Sequence, residues 1–324
     1  MTVSGEPLEN VPGLVRPGTV FLSYRGSESH GTTLPVEDEF GTDDIDLIGA
    51  FVHPLEHYFG FGRRPTLERW IGEYDIVEYE IGEYEIGKFV SLLLKSNPNV
   101  ISLLWLPQRS VLVSSPAHER LVENRSLFAS KAVYESFCGY ANGQLRRMTR
   151  LVDNNPGRDR EMETLNAELQ HRRDMERVHG PGSYARPPYR DWSAKKLRKR
   201  LNDLRGVSGY MGEKRRENVE RFGYDVKHGA HAIRLLRMVV EFLRDGEFRV
   251  DRTGIDAEEL KEIKRGHWPL ERVQAVSEYL FAEAEDALRF SKLPEGPDRE
   301  GSERLLVGIL EEHFEGSTGD AART

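Results

Sequence analysis

Strand-like runs occur only in the first third of this chain. VFLSY (Val20 to Tyr24), IDLIGAFV (Ile45 to Val52) and VLVSS (Val111 to Ser115) are short and apolar, with strand composition. The first stops at Gly26-Ser27, and Pro54 ends the second because proline cannot donate to a ladder. From Ser126 onward such runs almost vanish. Helical spacing takes over at 126–151, 158–178, 193–204, 213–222, 226–244, 257–265, 270–293 and 302–314. HGPGSYARPPYRDW (His179 to Trp192) interrupts them as a Pro/Gly/aromatic linker. A chain patterned this way is α+β, with a small α/β domain followed by an α-helical half.

The 324 residues suffice for two compact domains. The net charge of −8 argues against a wholesale nucleic-acid coat but leaves room for a local basic groove. The single cysteine, Cys138, excludes an intramolecular disulfide, and there is no Cys/His cluster to hold zinc. There is no leader-like start and no membrane-length apolar run, so the expectation is a reduced, cytoplasmic protein without a membrane partner.

Residues 72–87 read GEYDI VEYEI GEYEI G, a tandem repeat with a five-residue period. Tyr and Ile favour strand, so the repeat is expected to lengthen a strand or the turn into the next helix. That helix is KFVSLLLKS, stopped at Asn97-Pro98, and Pro98 is expected to open another carrying Val100 to Trp105.

Asp44 and Asp46 stand at i and i+2 at the head of the IDLIGAFV run. On a strand this spacing puts both carboxylates on one face. Such a pair can hold hard divalent ions, although an acid-rich loop is more often simply solvated. Gly26-Ser27, directly after a strand, offers backbone N–H groups and a hydroxyl suited to phosphate, and it is equally a common turn.

The order strand, Gly-Ser, short loop, Asp-x-Asp, further acidic strand resembles the nucleotidyltransferase superfamily of DNA polymerase beta. The likeness continues through GSESHGT, DDIDLIGAFVHP, YEIGKFVSLLLKSNPNVISLLWLP and LFASKAVYESFCGYANGQLRRM. It resumes in YMGEKRRENVERFGYDVKHGAHAIRLLRMVVEF, IKRGHW and the LP-x-x-PD of Leu293 to Asp298. Together these resemble one branch, the RNA repair pathway DNA polymerase beta family. The resemblance implies a loose tail at 1–18, a polymerase beta-like mixed-sheet catalytic domain at 19–125, and an α-helical domain at 126–316 with a linker near 179–192. A C-terminal tail would follow at 317–324.

It further implies NMP transfer from an NTP, with ATP the expected donor, to an acceptor hydroxyl, with pyrophosphate released. RNA in a repair pathway is the expected acceptor. Magnesium or manganese would sit on Asp44, Asp46 and a third carboxylate. For that third carboxylate the repeat gives two answers. Asp75 matches the branch's aspartate in type and is preferred, and Glu80 matches its register with Lys88-Phe89. Where this branch usually has glutamate, the chain has Ser102, read as a packing position.

The remaining nucleotide contacts implied are Gly26, Ser27, His30, Lys214, Arg215, Lys227, His231 and Arg234. Lys227, His231 and Arg234 recur at spacings of four and three along one helix face. They fit either a triphosphate or ordinary structural roles. The runs AKKLRKRLNDLR and GEKRREN are solvated helix faces or polyphosphate attractors. Gln144 and Arg147, on one helical face, read as structural. Two other functions stay open: transfer to a protein side chain or small molecule, and a non-catalytic nucleotide-binding subunit.

Overall fold

The computed structural model describes residues 13–41, 45–61, 65–74, 77–148, 156–180, 182, 184–206 and 213–321. Its strands are β1 (Thr19–Tyr24), β2 (Ile45–Phe51), β3 (Leu67–Tyr74), β4 (Val77–Glu85) and β5 (Val111–Ser114). They form one sheet in the order β3-β4-β2-β1-β5. β2 and β4 run parallel and the other pairs antiparallel, so the sheet is mixed. The helices are α1 (Leu55–Phe59), α2 (Ile86–Leu93), α3 (Pro116–Glu123), α4 (Val133–Met148), α5 (Pro156–His179), α6 (Ala194–Gly206), α7 (Glu213–Phe222), α8 (Val226–Asp245), α9 (Ala257–Lys264), α10 (Leu270–Phe290) and α11 (Arg299–Ala321). The fold is therefore α+β. No described helix is long and apolar enough to cross a membrane.

The centre of the sheet is dry because β1 and β2 carry apolar residues on both faces: Phe21, Leu22, Leu47 and Ile48 are all buried. Their backbones approach so closely at Gly49 that a Cβ there would lie 2.0 Å from the Phe21 carbonyl oxygen. Leu14, Leu22, Leu47, Tyr79, Ile81, Leu112 and Val113 make a contiguous core.

The five-residue repeat does not lengthen a single strand. It straddles an antiparallel hairpin, with Gly72 of β3 opposite Tyr79 of β4. Within β4 the odd period inverts each motif, because strand side chains alternate with period two. Tyr79 is buried in the core while Tyr84 is only half-buried; Glu80 is exposed while Glu85 is buried. Glu85 caps α2, accepting from the backbone N–H groups of Gly87 and Lys88 at 2.8 Å each. The segment after Pro98 forms a short 3-10 turn at Ile101–Trp105 rather than the expected helix. All five of its residues are buried, and Trp105 packs edge-on to Phe242 and Phe248.

The chain divides into two compact units, 1–145 with 226–324, and 146–225. In the first, α8 packs against α10 and α9, and its buried face runs from Val226 to Leu243. Arg252, 1% exposed, binds Glu241 of α8 through both terminal nitrogens and Asp256 ahead of α9 through Nε and Nη2. Asp256 also takes Arg237 at 2.7 Å. This buried, fully paired network fixes α8, α9 and the intervening loop. In the second unit, α5 and α6 close an apolar seam of Met162, Leu165, Leu169, Leu197, Leu201 and Leu204.

Candidate active site

The turn that follows β1 is set by Gly26, whose φ of +67° is costly for any residue with a Cβ. No atom lies within 4 Å of where that Cβ would stand, so the backbone there is bare. The turn is tied down on three sides. Arg25 N–H donates to the Asp46 carbonyl at 2.9 Å, Thr32 N–H to the Ser27 carbonyl at 2.9 Å, and the Ser29 hydroxyl to the Gly26 carbonyl at 3.0 Å. Further along, Arg252 N–H donates to the His30 carbonyl at 3.1 Å, so the same loop is stitched to the segment between α8 and α9.

Gly26, Ser27, His30, Lys227, His231 and Arg234, separated by some two hundred positions, line one cavity of about 220 Å³. Helical geometry brings the last three to one side of α8. A second cavity, about 260 Å³, shares Gly26, His30, His231 and Arg234 and reaches Asp46. Among the described residues no carboxylate lines the first, and Asp46 is the only one lining the second.

Lys264, the last residue of α9, also lines the first cavity, although sequence reasoning assigned it no role. Its Nζ donates to Ser27 Oγ (2.8 Å), the Thr32 carbonyl (2.7 Å) and Thr32 Oγ1 (3.0 Å), which matches the three N–H of an ammonium. The only sequence sign of it was its place in IKRGHW, one of the stretches that carry the family likeness.

The electrostatics follow from several cations gathered around a cavity that no carboxylate lines among the described residues. Burial, then the charges of Arg234 and Lys227, push the Lys264 ammonium down to about 7. Burial, then Arg252, lowers the Arg234 guanidinium to about 9. Burial, then Arg234, takes His231 to about 2, so its ring is neutral, resting edge-on to Tyr140 at 5.6 Å. His30 is held well below the usual imidazole range by burial and Arg234, and its Nδ1 lies 2.8 Å from the Val250 carbonyl oxygen. A carbonyl can only accept, so the proton stays on Nδ1 and Nε2 carries a lone pair. The His30 ring is thus neutral, with Nδ1–H as its donor.

On the acidic side, Asp46 is half-buried at the start of β2, and the parallel pairing places Glu80 beside it in register. Tyr79 and Ile81 point into the core, so Glu80 takes the opposite face, which alternation also gives to Asp46 between Ile45 and Leu47. Neighbouring carboxylates suit a hard divalent cation. Asp44 and Asp75 lie outside the described residues. So do the side chains of Lys214 and Arg215, at the start of α7. Ser102, read from the sequence as a packing position, is buried and also lines the Asp46 cavity. Gln144 is buried and Arg147 exposed.

The model of the RNA repair pathway DNA polymerase beta family matches residues 9–306. The chain belongs to that family. No curated protein matches it. Membership in the RNA repair pathway DNA polymerase beta family makes nucleotidyl transfer the reaction class, and enzymes of the polymerase beta type generally use divalent metals. In this member the Gly-Ser turn and the basic face of α8 border a single cavity, with Asp46 at the adjoining one.

Proposed function

We propose that the chain transfers an NMP from an NTP to a hydroxyl of an RNA end and releases pyrophosphate. The observation that supports this best is the cationic cavity at Gly26-Ser27, which no carboxylate lines among the described residues, next to a cavity holding Asp46. A triphosphate would bring its negative charge against Arg234 and Lys264, and the bare backbone at Gly26 allows its oxygens to approach. ATP is the proposed donor.

Asp46, with Asp44 before it and Glu80 beside it, is proposed to hold the divalent metal, magnesium or manganese. The register with Asp46 supports Glu80, and Asp75 keeps the family's residue type. When bound, such a cation polarises the phosphoryl oxygens and activates the hydroxyl. The protein's own part is positioning and charge neutralisation. The acceptor oxygen bonds to the α-phosphorus as the bond from that phosphorus to the bridging oxygen of pyrophosphate breaks. The hydroxyl proton passes to solvent, because His30 and His231 are too weakly basic to keep it.

The test incubates the protein with each α-labelled NTP, magnesium, and short RNA, DNA or protein acceptors. Labelled RNA is expected, falling at least about a hundredfold with Asp46→Ala, the scale lost when a group that stabilises developing charge is removed. An unchanged rate in that variant overturns the metal assignment, and label on protein instead of RNA overturns the acceptor. Loss with Glu80→Ala but not Asp75→Ala is expected; the reverse returns the third carboxylate to Asp75.

A further inference from the structure

Charge is divided unevenly along the chain. Residues 146–225 carry 20 Lys/Arg against 13 Asp/Glu, a net of +7, which leaves 26 against 41, or −15, for the rest. Within the basic unit some cations serve the fold. Glu168 holds Arg172 and Arg186, and Glu161 holds Arg200. Arg173 on α5, Arg190 in the connection, and Lys195, Arg198 and Lys199 on α6 are exposed, and among the described residues none of them pairs with a carboxylate.

Three of these cations, Arg173, Arg190 and Arg198, border a groove on the α5–α6 hairpin. Cavities of about 550 Å³ and about 270 Å³ share Leu169, Arg173 and Arg198 in their walls. The second continues to Arg190, Tyr184 and Trp192, and Lys196 Nζ already sits 4.3 Å from the Trp192 ring centroid. Glu176 is the one carboxylate at its wall among the described residues. The groove therefore has an apolar floor, guanidinium walls and aromatic rings at one end.

We propose that this groove binds single-stranded nucleic acid, with phosphates on Arg173 and Arg198 and an unpaired base against Trp192 or Tyr184. Unpaired guanidinium forks match phosphodiester oxygens, and aromatic rings hold bases of any sequence. A duplex keeps its bases stacked inside and offers the aromatics nothing, so single strands are favoured. The inference rests on the reading above in giving an acceptor strand a docking surface, but it concerns binding alone.

The test measures binding of a labelled twelve-nucleotide RNA to the full chain by anisotropy, without NTP or metal, at several salt concentrations. Matching DNA strands, duplex RNA and polyglutamate are the competitors. Single strands are expected to bind, more weakly as salt rises. Arg173→Gln with Arg198→Gln is expected to cut affinity about tenfold or more and to flatten the log–log salt slope by about 1.4, at about 0.7 per phosphate contact. Both arginines are exposed, so circular dichroism should not change. Trp192→Leu, which keeps apolar bulk, is expected to weaken binding while leaving the slope intact. Unchanged RNA binding in the double variant overturns the proposal, as does equal affinity for duplex. Displacement by polyglutamate at equal charge marks an acidic protein as the partner and overturns it too. NTP binding, followed by calorimetry, should be the same in the double variant; its absence in wild type would sink the nucleotidyltransferase reading and leave this one standing.

Discussion

Lys264 spends its three hydrogens on the Gly-Ser turn while neighbouring cations oppose its charge. A bound triphosphate reverses that opposition and raises its pKa, so nucleotide binding takes up a proton above pH 7. The sign follows directly: a lysine lowered to about 7 is increasingly neutral at higher pH, and the anion prefers the ammonium. NTP affinity is therefore expected to fall as the pH rises from about 7 toward 9. Lys264→Met should weaken binding about tenfold or more, as loss of a charge-assisted hydrogen bond does, and should flatten the slope, leaving the part that Arg234 contributes near pH 9. Calorimetry that finds the slope intact in this variant refutes the role. Nothing local in IKRGHW announces the contact, because Lys264 and Ser27 stand 237 positions apart. The tautomer of His30 was equally hidden, since a distant backbone carbonyl sets it.

At the scale of elements, β1 and β2 were legible because central strands must be apolar on both faces, and β5, although at an edge, because Val111, Leu112 and Val113 are all buried. β3 was not. As an edge strand, LERWIGEY can afford Ile71 at 66% exposure and charged residues throughout, so it offers no apolar run to detect. The pairing of Asp46 with Glu80 has a measurable cost in the metal-free protein, because like charges on neighbouring strands repel. Asp46→Asn or Glu80→Gln is expected to raise the metal-free Tm by about 1–2 °C. Magnesium should raise the Tm of the wild type and not of the variants. A scan showing both variants less stable than wild type removes Glu80 from the site.

Taken whole, the chain joins a +7 unit and a −15 unit, each with its own core. Opposite charges on one molecule invite attraction between copies. Reversible self-association is expected near 0.01 M salt, where the Debye length is about 30 Å, and should disperse by about 0.15 M, where it is about 8 Å. Light scattering that is flat across this range counts against the charge segregation acting between molecules. Helical periodicity marked α5 to α11 as helices, but a periodic stripe names a buried face and not the neighbour that buries it. For that reason the grouping of α8 and α9 with the sheet, and with it the shared wall of the cavity, became visible only in three dimensions.

The repeat in β4 has a genetic consequence. Repeated short tracts tend to gain or lose whole units when DNA is copied. Here one unit is five residues, an odd number, so a unit gained or lost between Tyr79 and Glu85, both buried on one face, would put the core tyrosine and the capping glutamate on opposite faces. A unit gained in the β3–β4 connection would leave every facing unchanged. Length variants of this protein should therefore be viable when the change falls at the hairpin tip and should fail when it falls within the strand.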